Sequence, residues 1–570
     1  MRQLSLLRMA VLDRLRPVEW QRTLATAAVV GVLGALATIG FRSLIQLTEH
    51  FLYGRSDSLV QIARGLVWWK RLLAPACGGI VAGLLLAIAH RQPEASTGGD
   101  YMEAIALGDG EIGVRASCWR ALSSAATVAS GSAIGREGPM VQLAAMAGSL
   151  IGKWRKMPVP RRRLYVACGA AAGIATAYNA PIASAMFVSE IVLRSVAIES
   201  LGPLIVAAVA ANIVVSELAG FAPVYHMPHI TLAHGMPTLV LALLGLFAGA
   251  TAPIYLSMLD RFRAWFGKWH GPLWLKLASG GLLVGAISIV EPGVWGNGYS
   301  VVNAILQGGW LVQALLVILV LKLLAVSITT GSGAVGGIFT PTLFTGAVVG
   351  ALFGNLVHAY WPGLVPEPAA VAVGMGAFLA ACTHAPLMSI LMIFEMTESY
   401  DVVVPLMAAC VLAYSISRML HTASIYATAN DVAARSPALT MAADLLREDP
   451  PTIRVGQSMR ELEAVFLRRR WQHVYVLDGQ SRFVGAISLH DFAPALQAAR
   501  DFGATWPDSL MRLDYPRVED TAPAWQVIER FASHPGERLP VLDPAGRLLG
   551  YVTKTDLVLI FRDITAASGA

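Results

Sequence analysis

Long uninterrupted runs of apolar residues constrain this chain more than any other feature of its sequence. Five of them approach or exceed the length that crosses a bilayer: Thr23–Gly40, Leu72–Ala89, Met236–Met258, Leu273–Val290 and Trp310–Ile328. A transmembrane helix needs about 20 apolar residues, and only helices and closed barrels satisfy their own backbone in lipid. Only 14% of the residues are charged, against about a quarter in soluble proteins. We therefore predict an all-α polytopic membrane protein.

The basic residues predict how the chain is oriented in the membrane. The loop from Lys153 to Arg163 is rich in Lys and Arg, and such loops face the cytoplasm. The basic N-terminus, residues 1–19, runs into the first span without a small-residue cleavage site, so we expect no cleavable signal peptide. The net charge of +6 fits this bias, and we expect membrane lipid but no nucleic acid as a partner.

Patterns that would indicate a metal site, a disulfide or an enzyme are missing from the sequence. The five cysteines all lie in apolar segments, at positions 77, 118, 168, 382 and 410. Neither His-Glu-x-x-His nor Gly-x-Ser-x-Gly occurs. We expect no disulfide, no metal and no required cofactor, and we do not expect an enzyme.

A glycine-rich loop, residues 130–139 with the sequence SGSAIGREGP, precedes a short apolar segment. Glycines let the backbone turn tightly and should leave its amides uncovered, and proline suits the first turn of a helix. Exposed amides at a helix N-terminus bind anions. Glu137 lies among these amides and could compete with a dissolved anion. The loop residues around this carboxylate are Gly135, Arg136, Gly138 and Pro139.

A second loop of the same design follows about 200 residues later, from Gly331 to Pro341. It contains Gly336 and Gly337, and Phe339 stands where the first loop has its carboxylate. Either loop alone is also compatible with close packing between membrane helices. Their pairing favours an anion site built from both.

Further matches show that the membrane region consists of two repeated halves, about 20–220 and 230–425. Ala180-Pro181 is followed by Glu190 at the same interval at which Ala385-Pro386 is followed by Glu395. Both glutamates are expected to be satisfied by neighbouring backbone or hydroxyl groups. Segments such as Pro139–Gly152 and Pro181–Leu193 are too short to cross a bilayer. Broken helices of this kind hold ions at the membrane midplane, where repeats meet.

Beyond about residue 430 charged residues are frequent and apolar positions alternate or follow helical spacing, which is typical of a soluble α/β module. This module has a repeat of its own. Val476-Leu477-Asp478 matches Val541-Leu542-Asp543, 65 residues later. The repeated hydroxyl and carboxylate positions at the predicted helix starts are Ser488, Asp491, Thr553 and Asp556. The predicted domains are thus 1–19, 20–429, 430–500 and 501–570.

These motifs resemble the ClC family of chloride channels and chloride/proton antiporters. GREGP at 135–139 resembles the family's gate motif, GGIFTP at 336–341 its second anion loop, and the C-terminal repeat a CBS-domain pair. TGGDYMEAI at 97–105 and WGNGYS at 295–300 are most similar to the bacterial ClcB-like branch. The resemblance implies inverted repeats with broken helices, a homodimer in the bacterial inner membrane, and cytoplasmic CBS domains. The apolar stretches around Leu201–Val215 and Val402–Ile416 are expected to form the helices of the dimer interface.

By this resemblance, chloride is the transported ion and Glu137 is the gate that makes transport sensitive to pH and chloride. The amides of Ile338 and Phe339 and the hydroxyl of Tyr426 would form the central anion site. Thr97 would replace a chloride-binding serine. Lys322, inside an apolar run, is expected to snorkel or to pair, and no role is assigned to it.

One departure from the family bears on mechanism. Antiporters generally carry two adjacent glutamates after the Asn-Ala-Pro stretch, but here Glu190 is followed by Ile191, which cannot bind a proton. This favours a passive chloride channel, with a chloride/proton antiporter as the alternative and a fluoride exporter as a more distant one. The CBS-like pair either senses an adenine nucleotide through its Ser, Thr and Asp residues or serves only as a dimerisation scaffold.

Overall fold

The computed structural model describes residues 2–55, 58–91, 100–106, 108–220, 224–230, 232, 235–426, 441–447, 449–469, 471–498, 503–532 and 536–554. The chain divides into two compact units, Met1–Tyr426 and Ala427–Ala570. Within the described residues the helices and turns of the first unit are joined by loops and it contains no strand, whereas the second combines short strands with helices.

The first unit contains seventeen described α-helices. They are α1 Arg2–Tyr53, α2 Leu59–Gly65, α3 Trp68–His90, α4 Tyr101–Ala106, α5 Val114–Ala129, α6 Glu137–Trp154, α7 Val159–Tyr178, α8 Pro181–Phe187, α9 Ile198–Ala219, α10 Met236–Lys268, α11 Leu273–Val290, α12 Tyr299–Leu306, α13 Val312–Gly331, α14 Phe339–Tyr360, α15 Glu367–Thr383, α16 Pro386–Thr397 and α17 Val403–Leu420. A π-helical turn, Val188–Val192, extends α8, and a 3-10 turn, Pro292–Val294, follows α11.

The predicted membrane spans are confirmed. Among the described residues, eight helices are long and apolar enough to cross a membrane: α1, α3, α9, α10, α11, α13, α14 and α17. The five apolar runs fall on α1, α3, α10, α11 and α13. The two segments predicted to be too short fall on α6, which has 18 residues and is not among these eight spans, and on α8, which has seven residues. Helix α16, with twelve residues, is also short. Helix α6 begins at Glu137, so Pro139 lies in its first turn as predicted.

The repeat is visible in the backbone at the breaks before α8 and α16. Asn179 is the C-cap residue of α7 and His384 that of α15, and both are in the left-handed conformation, with φ of 54° and 58°. The alanines that follow have nearly identical angles, −132°/77° at Ala180 and −129°/80° at Ala385. His384 is therefore the structural counterpart of Asn179.

Two glutamates fasten the repeats to each other. The Glu395 carboxylate, near the end of α16, accepts hydrogen bonds from the amides of Ile182 (3.0 Å) and Ala183 (2.7 Å) in the first turn of α8. Glu190 reciprocates by accepting from the amides of Leu387 (3.3 Å) and Met388 (2.7 Å) in the first turn of α16. Each carboxylate satisfies helix N-terminal amides that have no intrahelical partner, so the expectation of backbone satisfaction is confirmed.

The second unit contains two small sheets built to the same plan. Its strands and α-helices are β1 Thr452–Arg454, α18 Met459–Arg469, β2 His473–Leu477, β3 Phe483–Ser488, α19 Leu489–Ala498, β4 Met511–Arg512, β5 Val518–Glu519, α20 Ala524–Ala532, β6 Arg538–Leu542 and β7 Leu548–Thr553. One sheet has the order β1-β2-β3-β4 and the other β5-β6-β7. In both, a parallel pair is followed by an antiparallel hairpin. The hairpins carry register shifts at equivalent places, Val476/Leu477 and Val541/Leu542.

Candidate anion gate

The two glycine-rich loops meet and are hydrogen-bonded to each other. The Gly135 amide donates to the Gly337 carbonyl and the Gly337 amide to the Gly135 carbonyl, both at 2.8 Å. A Cβ on Gly138 would lie 3.3 Å from the carbonyl carbon of Gly336, so the loops are also in close approach at that point. The pairing joins the N-termini of α6 and α14. It also corrects one expectation: the amides of Gly135 and Gly337 are engaged with each other and are not left uncovered for an anion.

Glu137 is the first residue of α6 and its side chain is buried at this junction, with 4% exposure. Its Oε1 atom accepts a hydrogen bond from Thr340 Oγ1 at 2.6 Å, and the Tyr299 hydroxyl lies 3.4 Å away. Its Oε2 atom has no hydrogen-bond partner among the described residues. A Cβ on Gly135 would overlap that oxygen. Glycine at 135 therefore makes room for the carboxylate.

Thr340 and Tyr299 are functional candidates that the sequence interpretation missed. Besides contacting Glu137, Thr340 Oγ1 lies 3.3 Å from the Tyr299 hydroxyl and 3.5 Å from that of Tyr178. Both residues belong to motifs that resemble the ClC family: Thr340 follows Phe339 in GGIFTP, and Tyr299 lies in WGNGYS. Their position inside these motifs was the only available signal, because sequence spacing does not reveal which hydroxyl faces the carboxylate.

The predicted central anion ligands surround the start of α14. Ile338 precedes this helix and Phe339 is its first residue, so their amides belong to the N-terminal set without intrahelical acceptors. The Phe339 ring lies 6.2 Å from that of Phe187 on α8, and the Phe187 ring packs edge-on against Tyr426 at 5.4 Å. Tyr426 is held after α17 because the neighbouring Ile425 amide donates to the Cys382 carbonyl at 2.9 Å.

Among the other predicted residues, Arg136 is half-buried at the N-cap of α6 and Pro139 is buried in its first turn. Thr97 lies outside the described residues. The arrangement therefore combines a buried carboxylate, hydroxyl donors and the N-termini of two helices. Each N-terminus carries roughly half a positive charge. Such a site can hold either its own carboxylate or a dissolved anion.

The second unit contains a cavity of about 300 Å³ between the strands of its two repeats. It is lined by Arg447, Gln472, His473, Tyr475, Glu537, Arg538 and Thr553. Of the predicted nucleotide ligands that the structure describes, Ser488, Asp491 and Thr553, only Thr553 lines it. The Asp491 carboxylate instead accepts from Arg512, from Nε at 3.0 Å and Nη2 at 2.8 Å. The Ser488 hydroxyl accepts from the His490 amide, and Asp556 lies outside the described residues.

Comparison with known proteins identifies the family. The family model described as "Voltage gated chloride channel" matches residues 78–418. This chain belongs to the ClC family. The CBS domain model matches 442–498 and 508–563, so the chain is a multi-pass ClC chloride-transport protein with an appended CBS pair, and the predicted resemblance is confirmed.

This chain matches curated ClC relatives over almost their full length. A "Putative chloride channel protein ClcB-like" of Ralstonia nicotianae is 52% identical over 411 residues, 71% of this chain and 96% of that protein. A "Voltage-gated ClC-type chloride channel ClcB" of Citrobacter koseri is 41% identical over 413 residues, 71% and 98% of the two chains.

Solved structures of the ClC type share the fold. A slow cyanobacterial Cl−/H+ antiporter is 26% identical with a TM-score of 0.63 and covers 71% of this chain and 96% of its own. A eukaryotic CLC transporter is 17% identical with a TM-score of 0.64 and covers 94% and 98%. The latter likeness shows the fold alone.

Proposed function

We propose that this protein is a chloride channel whose gate is the Glu137 carboxylate. The observation that carries the proposal is the burial of this carboxylate at the junction of α6 and α14, with Thr340 Oγ1 at 2.6 Å. An ionised carboxylate at membrane depth costs about 2.5–3.5 kcal/mol or more unless it is paired. The Thr340 hydroxyl and the helix N-termini offset that cost while the carboxylate occupies the anion path.

Opening then requires the carboxylate to leave, and two ligands favour its departure. A proton neutralises Glu137 and weakens its hold on the Thr340 hydroxyl, because hydrogen bonds to charged acceptors are about twice as strong as neutral ones. Chloride competes for the same positive helix ends. Conduction should therefore rise with falling pH and rising chloride concentration. The amides of Ile338 and Phe339 and the Tyr426 hydroxyl bind the passing ion, and Thr97 remains a predicted ligand.

The surroundings of Glu190 favour a channel over an antiporter. Its carboxylate is engaged by the amides of Leu387 and Met388, and the next residue, Ile191, has no titratable group. Neither position offers a proton carrier in place of the missing second glutamate. The chloride/proton antiporter remains the second candidate, because a solved structure similar to this chain is that of a slow Cl−/H+ antiporter.

The decisive experiment is the reversal potential of purified protein in planar bilayers, first under a chloride gradient and then with an opposing pH gradient. A channel follows the chloride Nernst potential and ignores the pH gradient. A shift caused by the pH gradient would show coupled proton transport and would overturn the channel mechanism. Replacing chloride with fluoride on one side tests fluoride export, which predicts a preference for fluoride.

We further propose a homodimer in the bacterial inner membrane, with the CBS pair in the cytoplasm. Helices α9 and α17 carry exposed apolar side chains at helical spacing, among them Ile205, Val209 and Ile213 on α9. The lining of the CBS cavity holds two arginines, Arg447 and Arg538, and one carboxylate, Glu537, and this excess of positive charge suits the phosphates of an adenine nucleotide. Nucleotide binding there would regulate the channel, whereas a scaffold would leave it indifferent to nucleotide.

A further inference from the structure

Lys322 is a basic residue buried inside a membrane-spanning helix, and nothing so far gives it a role. It lies on α13, one of the eight candidate membrane spans, and it is 1% exposed. Of the two outcomes expected for it, snorkelling and pairing, the structure shows pairing, since its side chain does not reach the surface and its nitrogen donates to backbone carbonyls. Ionisable residues within spans are costly and usually functional.

The side-chain nitrogen of Lys322 holds the loop that leads into α12. Nζ donates to the carbonyl of Val294 at 2.8 Å and to that of Gly296 at 2.7 Å. These carbonyls flank Trp295, whose side chain is completely buried. Two short bonds from one nitrogen to alternate carbonyls fix this loop against α13 more firmly than packing of the backbone alone would.

The same nitrogen also links the loop to α14. Nζ lies over the Phe344 ring at 5.2 Å from its centroid, which is within cation–π range. The backbone of Gly298 packs on that ring from the loop side, because a Cβ there would lie 2.5 Å from Phe344. Phe344 stands one turn beyond Thr340 on α14. Lys322 therefore holds the loop and α14 in one fixed relation.

The loop ends at Tyr299, whose hydroxyl faces the gate. Tyr299 is only three residues beyond Gly296, and it begins α12. Its hydroxyl lies 3.4 Å from Glu137 Oε1 and 3.3 Å from Thr340 Oγ1. Both distances are a few tenths of an ångström longer than a typical O–H···O hydrogen bond, so a loop displacement of that size decides how strong these contacts are.

We propose that Lys322 is a positioning residue for the gate: by fixing residues 294–298 it sets the Tyr299 hydroxyl against Glu137 and Thr340. This inference rests on the proposed gating by Glu137. Removing Lys322 frees the loop, weakens the Tyr299 contacts and destabilises the closed state. The gate then opens at a lower proton concentration, that is, at a higher pH.

The test is the pH of half-maximal chloride efflux from proteoliposomes holding the full-length protein. We expect Lys322→Met to weaken the closed state about five- to tenfold, the equilibrium effect of one hydrogen bond, which moves the midpoint upward by roughly 0.7 to 1 pH unit. Tyr299→Phe should give the same shift, and the double variant should add nothing further. Lys322→Arg should largely restore the wild-type midpoint. Lys70→Met, which removes an exposed lysine from α3, is the control and should leave it unchanged.

Several results would overturn the inference. A wild-type midpoint for Lys322→Met beside a shifted one for Tyr299→Phe would do so, as would fully additive effects of the two. If Lys322→Met does not fold, Lys322→Gln asks the same question, because its shorter amide cannot hold both carbonyls in place. Glu137→Gln is measured alongside. If it keeps the wild-type pH dependence, the gate proposal itself fails, whereas its loss with Lys322→Met unchanged refutes only the role of Lys322.

Discussion

Replacing Thr340 by valine tests the gate at its shortest contact. Valine keeps the branched shape of threonine but removes the hydroxyl that donates to Glu137 Oε1 at 2.6 Å. The Tyr299 hydroxyl, at 3.4 Å, is too distant to compensate fully. The closed position of the carboxylate therefore loses its best donor, while the helix N-termini and the loop pairing stay intact.

The size of the effect follows from the contact. A hydrogen bond to a charged group contributes about 1.5–3 kcal/mol, and this short oxygen–oxygen distance is typical of a charge-assisted bond. A loss of about 2 kcal/mol lowers the ratio of closed to open ionised gate roughly 30-fold. Because protons act by competing with the closed state, a weaker closed state opens with fewer protons. The midpoint should move to higher pH by about 1.5 units.

The assay is chloride efflux from proteoliposomes across a pH series, with folding checked by thermal unfolding of the purified variant. Thr345→Val is the matched control, because Thr345 is a buried threonine on the same helix whose hydroxyl donates to the Pro341 carbonyl at 3.0 Å and does not contact Glu137. We expect its midpoint to equal that of the wild type. A Thr340→Val midpoint that is unchanged, or displaced to lower pH, would show that the hydroxyl does not hold the gate closed.

The remaining predictions concern the gate, the repeat contacts and the CBS cavity. Glu137→Gln should conduct at all pH values with no midpoint, and retained pH gating would exclude it as the gate. Gly135→Ala should also open the gate, because its Cβ would overlap the carboxylate; adding it to Glu137→Gln should change efflux little further. Glu190→Gln and Glu395→Gln should each destabilise the protein by about 1–3 kcal/mol and lower its thermal midpoint similarly, whereas unequal or absent losses would contradict reciprocal capping. ATP or AMP should bind to the CBS cavity and stabilise the full-length protein, and Thr553→Ala should weaken this binding. If calorimetry detects no binding heat at millimolar nucleotide, the scaffold is favoured.

Local sequence patterns were sufficient for the helical fold and for the two glycine-rich loops that meet beside Glu137. Apolar run length predicted the spans, and the repeated Ala-Pro and glycine loops predicted where helices break. These features depend on residues close together in the chain. The two hydrogen bonds between Gly135 and Gly337 could be expected only as a meeting of loops, because no sequence rule tells whether a backbone amide faces an anion or the backbone of another loop.

The hydroxyl partners of Glu137 were beyond sequence reasoning for a physical reason. Tyr299 and Thr340 come from two different helices of the second repeat, and their common direction is set by how α12 and α14 pack. Lys322 was similarly ambiguous, since snorkelling and pairing with backbone leave the same sequence signature. The partners of Asp491 also depended on packing, because Arg512 reaches it from a neighbouring strand.

The reciprocal capping of α8 by Glu395 and of α16 by Glu190 has a consequence for the order in which the protein folds during synthesis. The first turn of α8 is synthesised about 200 residues before the side chain that satisfies its amides. Unsatisfied backbone groups in lipid cost several kcal/mol each. The Ile182 and Ala183 amides therefore lack this partner, and the N-terminal half stays less stable, until the C-terminal half has entered the membrane. A gene fragment encoding one half alone should therefore yield a polypeptide that is degraded, and co-expression of the missing half should rescue it.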